Sequence, residues 1–198
     1  MIHCHTDWLH LPLLSRLGIP FATTLHGRLD LPGLPGLIRQ LPSAPFISIS
    51  QHQRLPLRDA TWLGTVYHGM PNDWLRPSFS RGQYLAFLGR LSAEKGPETA
   101  IRIARAAKMP LRIAAKVPRA NRGYFKEQLE PLIDGNQIRL TGEVDEQTKQ
   151  GFLGEAAALL FPIEWPEPFG LVMIEAMACG TPSLHSDPAR SRKSSMRA

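Results

Sequence analysis

Two glutamates in the segment EWPEPFGLVMIEAMACGTP are well suited to bind a polar ligand. Glu167 and Glu175 are eight residues apart, and Pro166 and Pro168 keep the first of them outside a helix. A helix is predicted from Gly170, so its unpaired amides lie between the two carboxylates. Carboxylates accept hydrogen bonds from hydroxyls and helix-start amides bind phosphate, so the segment predicts a surface for a sugar, a diphosphate and a ribose. A glutamate taken alone is more often an exposed helix-start charge.

A second segment, YLAFLGRLSAEKGPETAIRIARAA, has the features of an anion-binding loop. A predicted strand ends at Gly89, the loop carries Arg90 and Lys95, and a helix follows Gly96. Arginine offers a forked pair of hydrogen bonds and lysine a compact charge, which together suit a diphosphate at the carboxyl end of a parallel strand. From the residues alone, a solvated loop remains the more common outcome for one Arg and one Lys.

Several segments in order resemble the family 4 glycosyltransferases. EPFGLVMIEAMACGTP resembles their E-x₇-E signature, and FLGRLSAEKG resembles their phosphate loop. The segments IHCHTDW, IPFATTLHG, LTGEV and LLFPIEWPEPFG are similar to further elements of that family. The resemblance extends from about Ile2 to Pro182. It implies a GT-B fold of two Rossmann-like domains.

The resemblance assigns roles residue by residue. It implies that Arg90 and Lys95 contact the diphosphate of the donor, that Glu175 holds the ribose hydroxyls, and that Glu167 holds the transferred sugar. It also implies that His26, at the end of TTLHG, faces that sugar. The remaining donor-binding positions that it implies are Gly89, Phe169, Gly170, Leu171 and Val172, with Gly142, Glu143 and Val144 near the base.

The family mechanism implied is transfer of a sugar from a nucleotide-diphosphate sugar to an acceptor with retention of anomeric configuration. No cofactor or metal is required, because cationic side chains and helix amides stabilise the leaving nucleoside diphosphate. The residues expected to act in catalysis are His26, Arg90, Lys95 and Glu167, and no nucleophile is assigned. Two alternatives stay open: a nucleotide or nucleotide-sugar binding remnant without turnover, and a GT-B isomerase or phosphorylase.

The pattern of elements that must position these residues is βαβ throughout. Strands are predicted at 2–5, 21–26, 46–50, 65–68, 84–88, 111–116, 137–141 and 158–162, with a last one from 182. Helices are predicted at 97–107, 122–132, 146–155 and 170–178. PNDWLRPSFSRG lacks periodicity and is typical of a linker.

These elements predict a partial N-terminal domain at 1–75, a partial C-terminal nucleotide-sugar-binding domain at 76–187 and a disordered basic tail at 188–198. Compared with the family, we expect the first domain to be truncated at its start and the second at its end. Turnover is therefore expected to be impaired.

Composition excludes some functions. The net charge is +6, but the last eleven residues supply Arg190, Arg192, Lys193 and Arg197, leaving +2, so nucleic-acid binding is not predicted. No apolar run reaches the roughly 20 residues of a membrane helix, and the start lacks signal-peptide features, so we expect a cytoplasmic protein with peripheral membrane contact possible.

The cysteines and the N-terminal histidines are weaker candidates for a functional site. Cys4 and Cys179 match no metal or redox spacing and are expected to be reduced thiols. The cluster of His3, His5, Asp7 and His10 has two rings on one strand face, but no metal site is predicted there. The acceptor, whether a sugar, a lipid-linked glycan or a small molecule, is not identified by any of these residues.

Overall fold

A computed structural model describes residues 1–80 and 82–185. The chain forms two compact units, one of Met1–Met70 with Pro166–Gly170, the other of Pro71–Trp165 with the described residues from Leu171. The predicted domain boundary between residues 75 and 76 lies close to the division at Met70. The roles given to the two predicted domains stay predictions, and the basic tail at 188–198 lies outside the described residues.

The first unit is a parallel sheet of four strands in the order β1-β2-β3-β4. The strands are β1 (Ile2–Cys4), β2 (Phe21–Leu25), β3 (Phe46–Ser48) and β4 (Trp62–Thr65); the helices are α1 (Leu11–Leu17) and α2 (Leu34–Arg39), with a 3₁₀ turn at His52–Leu57. Four consecutive residues of β2 are buried, which is why this strand is a continuous apolar and threonine run. The core forms between the sheet and the helices, from residues such as Leu11, Leu25, Ile38 and Phe46.

The second unit is a parallel sheet of five strands in the order β7-β6-β5-β8-β9. The strands are β5 (Tyr84–Arg90), β6 (Leu111–Lys116), β7 (Ile138–Gly142), β8 (Ala156–Phe161) and β9 (Ser183–His185). The helices are α3 (Pro97–Ala106), α4 (Arg122–Tyr124), α5 (Glu146–Gly154) and α6 (Leu171–Ala178). Buried residues of β5, β6 and β8 pack with Ala100, Ile101 and Ala104 of α3.

Some predicted elements were wrong in position or missing. The strand predicted at 65–68 is β4, Trp62–Thr65, because the Trp62 ring packs 5.9 Å from that of Phe46 and its Nε1 donates to the Leu57 carbonyl at 2.8 Å. Helices α1 and α2 were not predicted, since their prolines suggested loops; each instead has Pro in its first turn, where no amide partner is lost. The helix predicted at 122–132 is α4 followed by a π turn at Phe125–Leu129 and a 3₁₀ turn at Glu130–Leu132.

The segment 71–80, predicted as a linker, is part of the second unit and packs against the rest of that unit. Leu75 is buried, the Arg76 amide donates to Gln150 Oε1 at 3.2 Å, and the Ser78 amide donates to the Cys179 carbonyl at 2.9 Å. Ser80 Oγ donates to the Gly154 carbonyl at 3.0 Å. Lack of periodicity therefore marked a segment whose conformation depends on contacts with α5 and α6.

Within the described residues, no helix is long and apolar enough to cross a bilayer. The helix bounds given above run to ten residues at most, in α3, whereas a spanning helix needs about 20.

Candidate functional site

The strand order of the second unit creates a switch point between β5 and β8. From β5 the chain adds β6 and then β7 on one side, and afterwards returns to place β8 and β9 on the other side. Open parallel sheets bind ligands beyond the carboxyl ends of their strands at such a point, where two connections diverge. The loops after β5 and β8 are therefore the candidate ligand-binding loops.

Those two loops contact each other directly. The Glu164 amide, in the loop after β8, donates to the Glu94 carbonyl, in the loop after β5, at 3.1 Å. Gly96 has a φ of +67°, and a Cβ there would overlap the carbonyl oxygen of Pro162. Glycine is therefore required at this position for two reasons: the left-handed backbone conformation and the close approach of the two loops.

The two predicted phosphate ligands lie at the end of β5 and in the loop that follows it. Arg90 is the last residue of β5 and is exposed, and the φ of +152° at the preceding Gly89 is one that favours glycine. Lys95 ends a 3₁₀ turn immediately before α3, and its Nζ lies 4.8 Å from the centre of the Trp165 ring. The ammonium thus sits beside the loop that follows β8, so the structure brings the positive charge of one loop to the other.

Glu175 lies in the second turn of α6. It is buried, whereas a lone glutamate on a helix is usually exposed. The residue is 7% exposed, and its Oε1 is 2.9 Å from Lys149 Nζ of α5. Lys149 was not identified from the sequence, because a lysine on a helix is ordinarily solvated. Ahead of Glu175, Gly170 has a φ of +80°, and Leu171 and Val172 form the first turn of α6.

The residues predicted near the base follow β7, two strands away from β5. Gly142 ends the strand with a φ of +84°, and Glu143 makes an exposed 3.6 Å ion pair with Lys116, at the end of β6. After Val144, Asp145 caps α5 by accepting from the Thr148 amide at 2.8 Å. The hydrogen bonds from Thr148 hold the pKa of Asp145 below its ordinary value. This capping box fixes the direction in which α5 leaves the sheet edge.

The loop Pro166–Gly170 belongs to the first unit, although it is flanked in sequence by β8 and α6. Ser50 Oγ donates to the Pro168 carbonyl at 2.5 Å, and the Phe169 ring meets the His68 ring edge to face at 5.0 Å. Glu167, immediately before Pro168, is half-buried. Ser50 was not predicted as a contributor; its signal was weak, since a serine after a strand is usually a turn residue.

His26 follows β2 and lies among other histidines of the first unit. Its Nε2 is 2.9 Å from His5 Nδ1, so one ring donates and the other accepts. The His68 ring stacks at 5.4 Å. Burial first, and then the neighbouring imidazoles of His68 and His5, lower the pKa of His26, so its neutral form is favoured.

The other histidines of the predicted cluster bind threonines of β2. His3 Nε2 is 2.8 Å from Thr24 Oγ1, and His10 Nε2 is 2.8 Å from Thr23 Oγ1. No group of three or more candidate metal ligands occurs in residues 1–80 and 82–185. These side chains account for part of the hydrogen bonding between β1, α1 and β2.

The predicted site residues are thus distributed over the two units. The second unit carries residues at the carboxyl ends of strands, in the loops after them or in the helix that follows, namely Gly89, Arg90, Lys95, Gly142, Glu143, Val144, Leu171, Val172 and Glu175. The first unit carries His26, Glu167, Phe169 and Gly170.

Residues 76–195 match the protein family described as glycosyl transferases group 1. The chain belongs to this family. The GDP-mannose-dependent alpha-(1-6)-phosphatidylinositol dimannoside mannosyltransferase of Mycobacterium tuberculosis is 36% identical over 103 residues, covering 52% of this chain and 26% of the relative. The D-inositol 3-phosphate glycosyltransferase of Mycobacterium leprae is 30% identical over 152 residues, covering 68% of this chain and 34% of the relative. The chain thus matches about a third or less of the length of these relatives.

Solved structures share the fold. Anabaena HepE, crystallised with UDP and glucose, superposes with a TM-score of 0.73 at 20% identity, covering 91% of this chain and 57% of HepE. Sucrose-phosphate synthase of Thermosynechococcus elongatus gives a TM-score of 0.75 at 20% identity, covering 93% of this chain and 55% of that one. The predicted α/β fold of the GT-B type is confirmed.

Proposed function

We propose that this chain carries the donor-binding part of a family 4 glycosyltransferase that transfers a sugar from a nucleotide-diphosphate sugar with retention of configuration. The observation that carries the proposal is the pairing of the β5 and β8 loops at the switch point. Arg90, Lys95 and the start of α6 all follow those two strands, and two cations with unpaired amides suit a diphosphate.

The diphosphate contacts would also serve catalysis. Negative charge develops on the nucleoside diphosphate as the glycosyl bond breaks, and fixed cations stabilise that charge without reorganisation. Lys95 is held by its packing against Trp165, which limits the entropy lost when it binds phosphate. Arg90, on a rigid strand end, would supply the forked hydrogen bonds.

The glutamates would recognise hydroxyls of different parts of the donor. Glu175 is buried and ion-paired, so its carboxylate is suited to accept from the ribose. Glu167 and His26 would contact the transferred sugar, His26 in a neutral form that can either donate or accept. The amides of Phe169, Gly170, Leu171 and Val172 would contact sugar and phosphate, and Gly142, Glu143 and Val144 the base.

The names of similar proteins support a nucleotide-sugar donor. The M. tuberculosis relative is named as GDP-mannose-dependent, and HepE was crystallised with UDP and glucose. These two proteins differ in the base and in the sugar of the nucleotide sugar, so the proposal for this chain extends only to the class of donor.

Binding and turnover can be tested separately. Isothermal titration with UDP and GDP should detect binding of at least one; folded protein that binds neither would contradict the proposed site. Radiolabelled nucleotide sugars with mixed acceptors should then give product whose anomeric configuration, measured by NMR, matches that of the donor. Inverted product would contradict the retaining mechanism. Binding without any transfer would favour a binding remnant, and the expected impairment of turnover stays a prediction until that assay.

A further inference from the structure

A buried ion pair in the second unit involves a residue with no role so far. Lys149 Nζ lies 2.9 Å from Glu175 Oε1, and the two side chains are 16% and 10% exposed. The residues are 26 positions apart and belong to α5 and α6. The pair therefore depends on the docking of two helices.

Trp74, in the segment 71–80, packs against the lysine of this pair. Lys149 Nζ lies 4.9 Å from the centre of the Trp74 ring, within range of a cation–π contact. After Trp74 the segment is hydrogen-bonded to α5, by the Arg76 amide on Gln150, and to the residue just after α6, by the Ser78 amide on the Cys179 carbonyl. Trp74 is thus held in place beside the ammonium of Lys149.

Packing alone does not account for two charges at this position. A buried ion pair loses hydration that its mutual attraction only partly restores, so apolar side chains of similar volume would join α5 to α6 at least as well. A need for a charged carboxylate in one orientation at Glu175 does account for the pair, because a neighbouring ammonium balances the charge of a buried carboxylate and holds it in place.

The pair also lies near the ligand-binding edge of the sheet. Lys149 is the fourth residue of α5 and Glu175 the fifth of α6, and both helices begin after the carboxyl ends of strands. At 1.5 Å per residue both lie within about 6 Å of their helix starts. Lys149 donates to Oε1, so a ligand bound by this carboxylate would use Oε2.

We propose that Lys149 is a positioning residue for Glu175. Its ammonium balances the charge of the carboxylate and fixes its orientation, so that Oε2 accepts hydrogen bonds from the ribose hydroxyls of a nucleoside diphosphate, and Trp74 shields the ammonium from water. This inference rests on the proposed function, since it takes that function's ligand. The competing explanation is a clamp that only joins the two helices.

Ribose discrimination separates the two explanations. The dissociation constants of UDP or GDP, whichever the unaltered chain binds, and of its 2′,3′-dideoxy counterpart are measured for the unaltered chain, Lys149→Met, Lys149→Arg and the control Lys126→Met, an exposed lysine. We expect the unaltered chain to prefer the ribose form by about 10-fold, the scale of one charge-assisted hydrogen bond. Lys149→Met should reduce this preference to about 2-fold or less at neutral pH, whereas Lys149→Arg and Lys126→Met should keep most of it.

Equal weakening of both ligands in Lys149→Met, or an unchanged preference, would overturn the proposal. If Lys149→Met does not fold, Trp74→Leu should still lower the preference, and its failure to do so would have the same meaning. Absence of any nucleotide binding by the unaltered chain would instead overturn the proposed function, and this inference with it.

Discussion

At the scale of single residues, Lys95 carries the clearest expectation. Lys95→Ala should weaken nucleoside diphosphate binding by about 1.5 to 3 kcal/mol, or about 10- to 150-fold in Kd, because a charge-assisted hydrogen bond to phosphate is lost. Titration calorimetry measures this loss. The control is Lys108→Ala, which removes an equal charge just before β6, at the opposite edge of the same sheet. Equal losses in the two variants would mean that only the general positive charge of the unit matters.

The two glutamates should separate by ligand. Glu175→Gln should weaken free nucleotide and nucleotide sugar by similar factors, because ribose is common to both. Glu167→Gln should weaken only the nucleotide sugar, because its proposed partner is the transferred sugar. Direct binding of both ligands to each variant gives the comparison. Parallel losses for both glutamates would rule out this division.

At the scale of elements, the contact between the β5 and β8 loops depends on Gly96. Gly96→Ala should lower the free energy of unfolding by at least about 2 kcal/mol, because alanine disfavours its φ of +67° and the added Cβ overlaps Pro162. Gly123→Ala is the matched control. Its Cβ meets nothing within 4 Å and its φ is not positive, so this variant should gain about 0.4 to 1 kcal/mol. Urea unfolding measures both, and a Gly96→Ala protein as stable as the parent would show that the loops can separate without cost.

The histidines beside β2 should make the first unit sensitive to mild acid. Burial lowers the pKa of His10 and of His26 from the ordinary 6.5. As the pH falls through that value the unfolded chain takes up protons first, so the stability present above pH 6.5 is lost progressively below it. The urea midpoint should therefore fall between about pH 7.5 and about pH 5.5, above the range in which aspartates titrate.

Replacing both histidines tests the source of that effect. The double variant His10→Gln with His26→Gln should show a smaller fall in urea midpoint over the same pH range than the parent. A double variant with the parent's full pH dependence would locate the effect elsewhere.

At the scale of the whole molecule, the proposed chemistry draws only on side chains and amides of the chain. Any sugar transfer detected should therefore persist at an unchanged rate after treatment with EDTA and should not increase when Mg²⁺ is restored, since in the proposed function Arg90 and Lys95 would supply the charge that a metal provides in other transferases. Initial rates with and without chelator measure this. Loss of turnover in EDTA that Mg²⁺ reverses would contradict the assignment.

Much of the second unit could be predicted from the sequence because its signals are local. The strand predicted at 111–116 has the bounds of β6, and the helix predicted at 97–107 differs from α3 by one residue. Strands buried on both faces are continuous apolar runs, and α3 alternates buried and exposed positions at helical spacing. The first unit was harder, because prolines inside α1 and α2 hid helices whose stability comes from packing Leu11, Leu34 and Ile38 into the core.

By itself the sequence determined the order and type of most elements and the resemblance to glycosyltransferases, and it predicted side chains for a diphosphate and its sugars, because each of these signals lies in adjacent residues. The tertiary structure alone decided which partners those side chains have. Glu175 meets Lys149 across 26 residues, His26 meets His5 across 21, and Pro168 meets Ser50 across 118. Such pairs arise from strand order and helix docking. Periodicity shows which face of an element is apolar, but not which element that face meets.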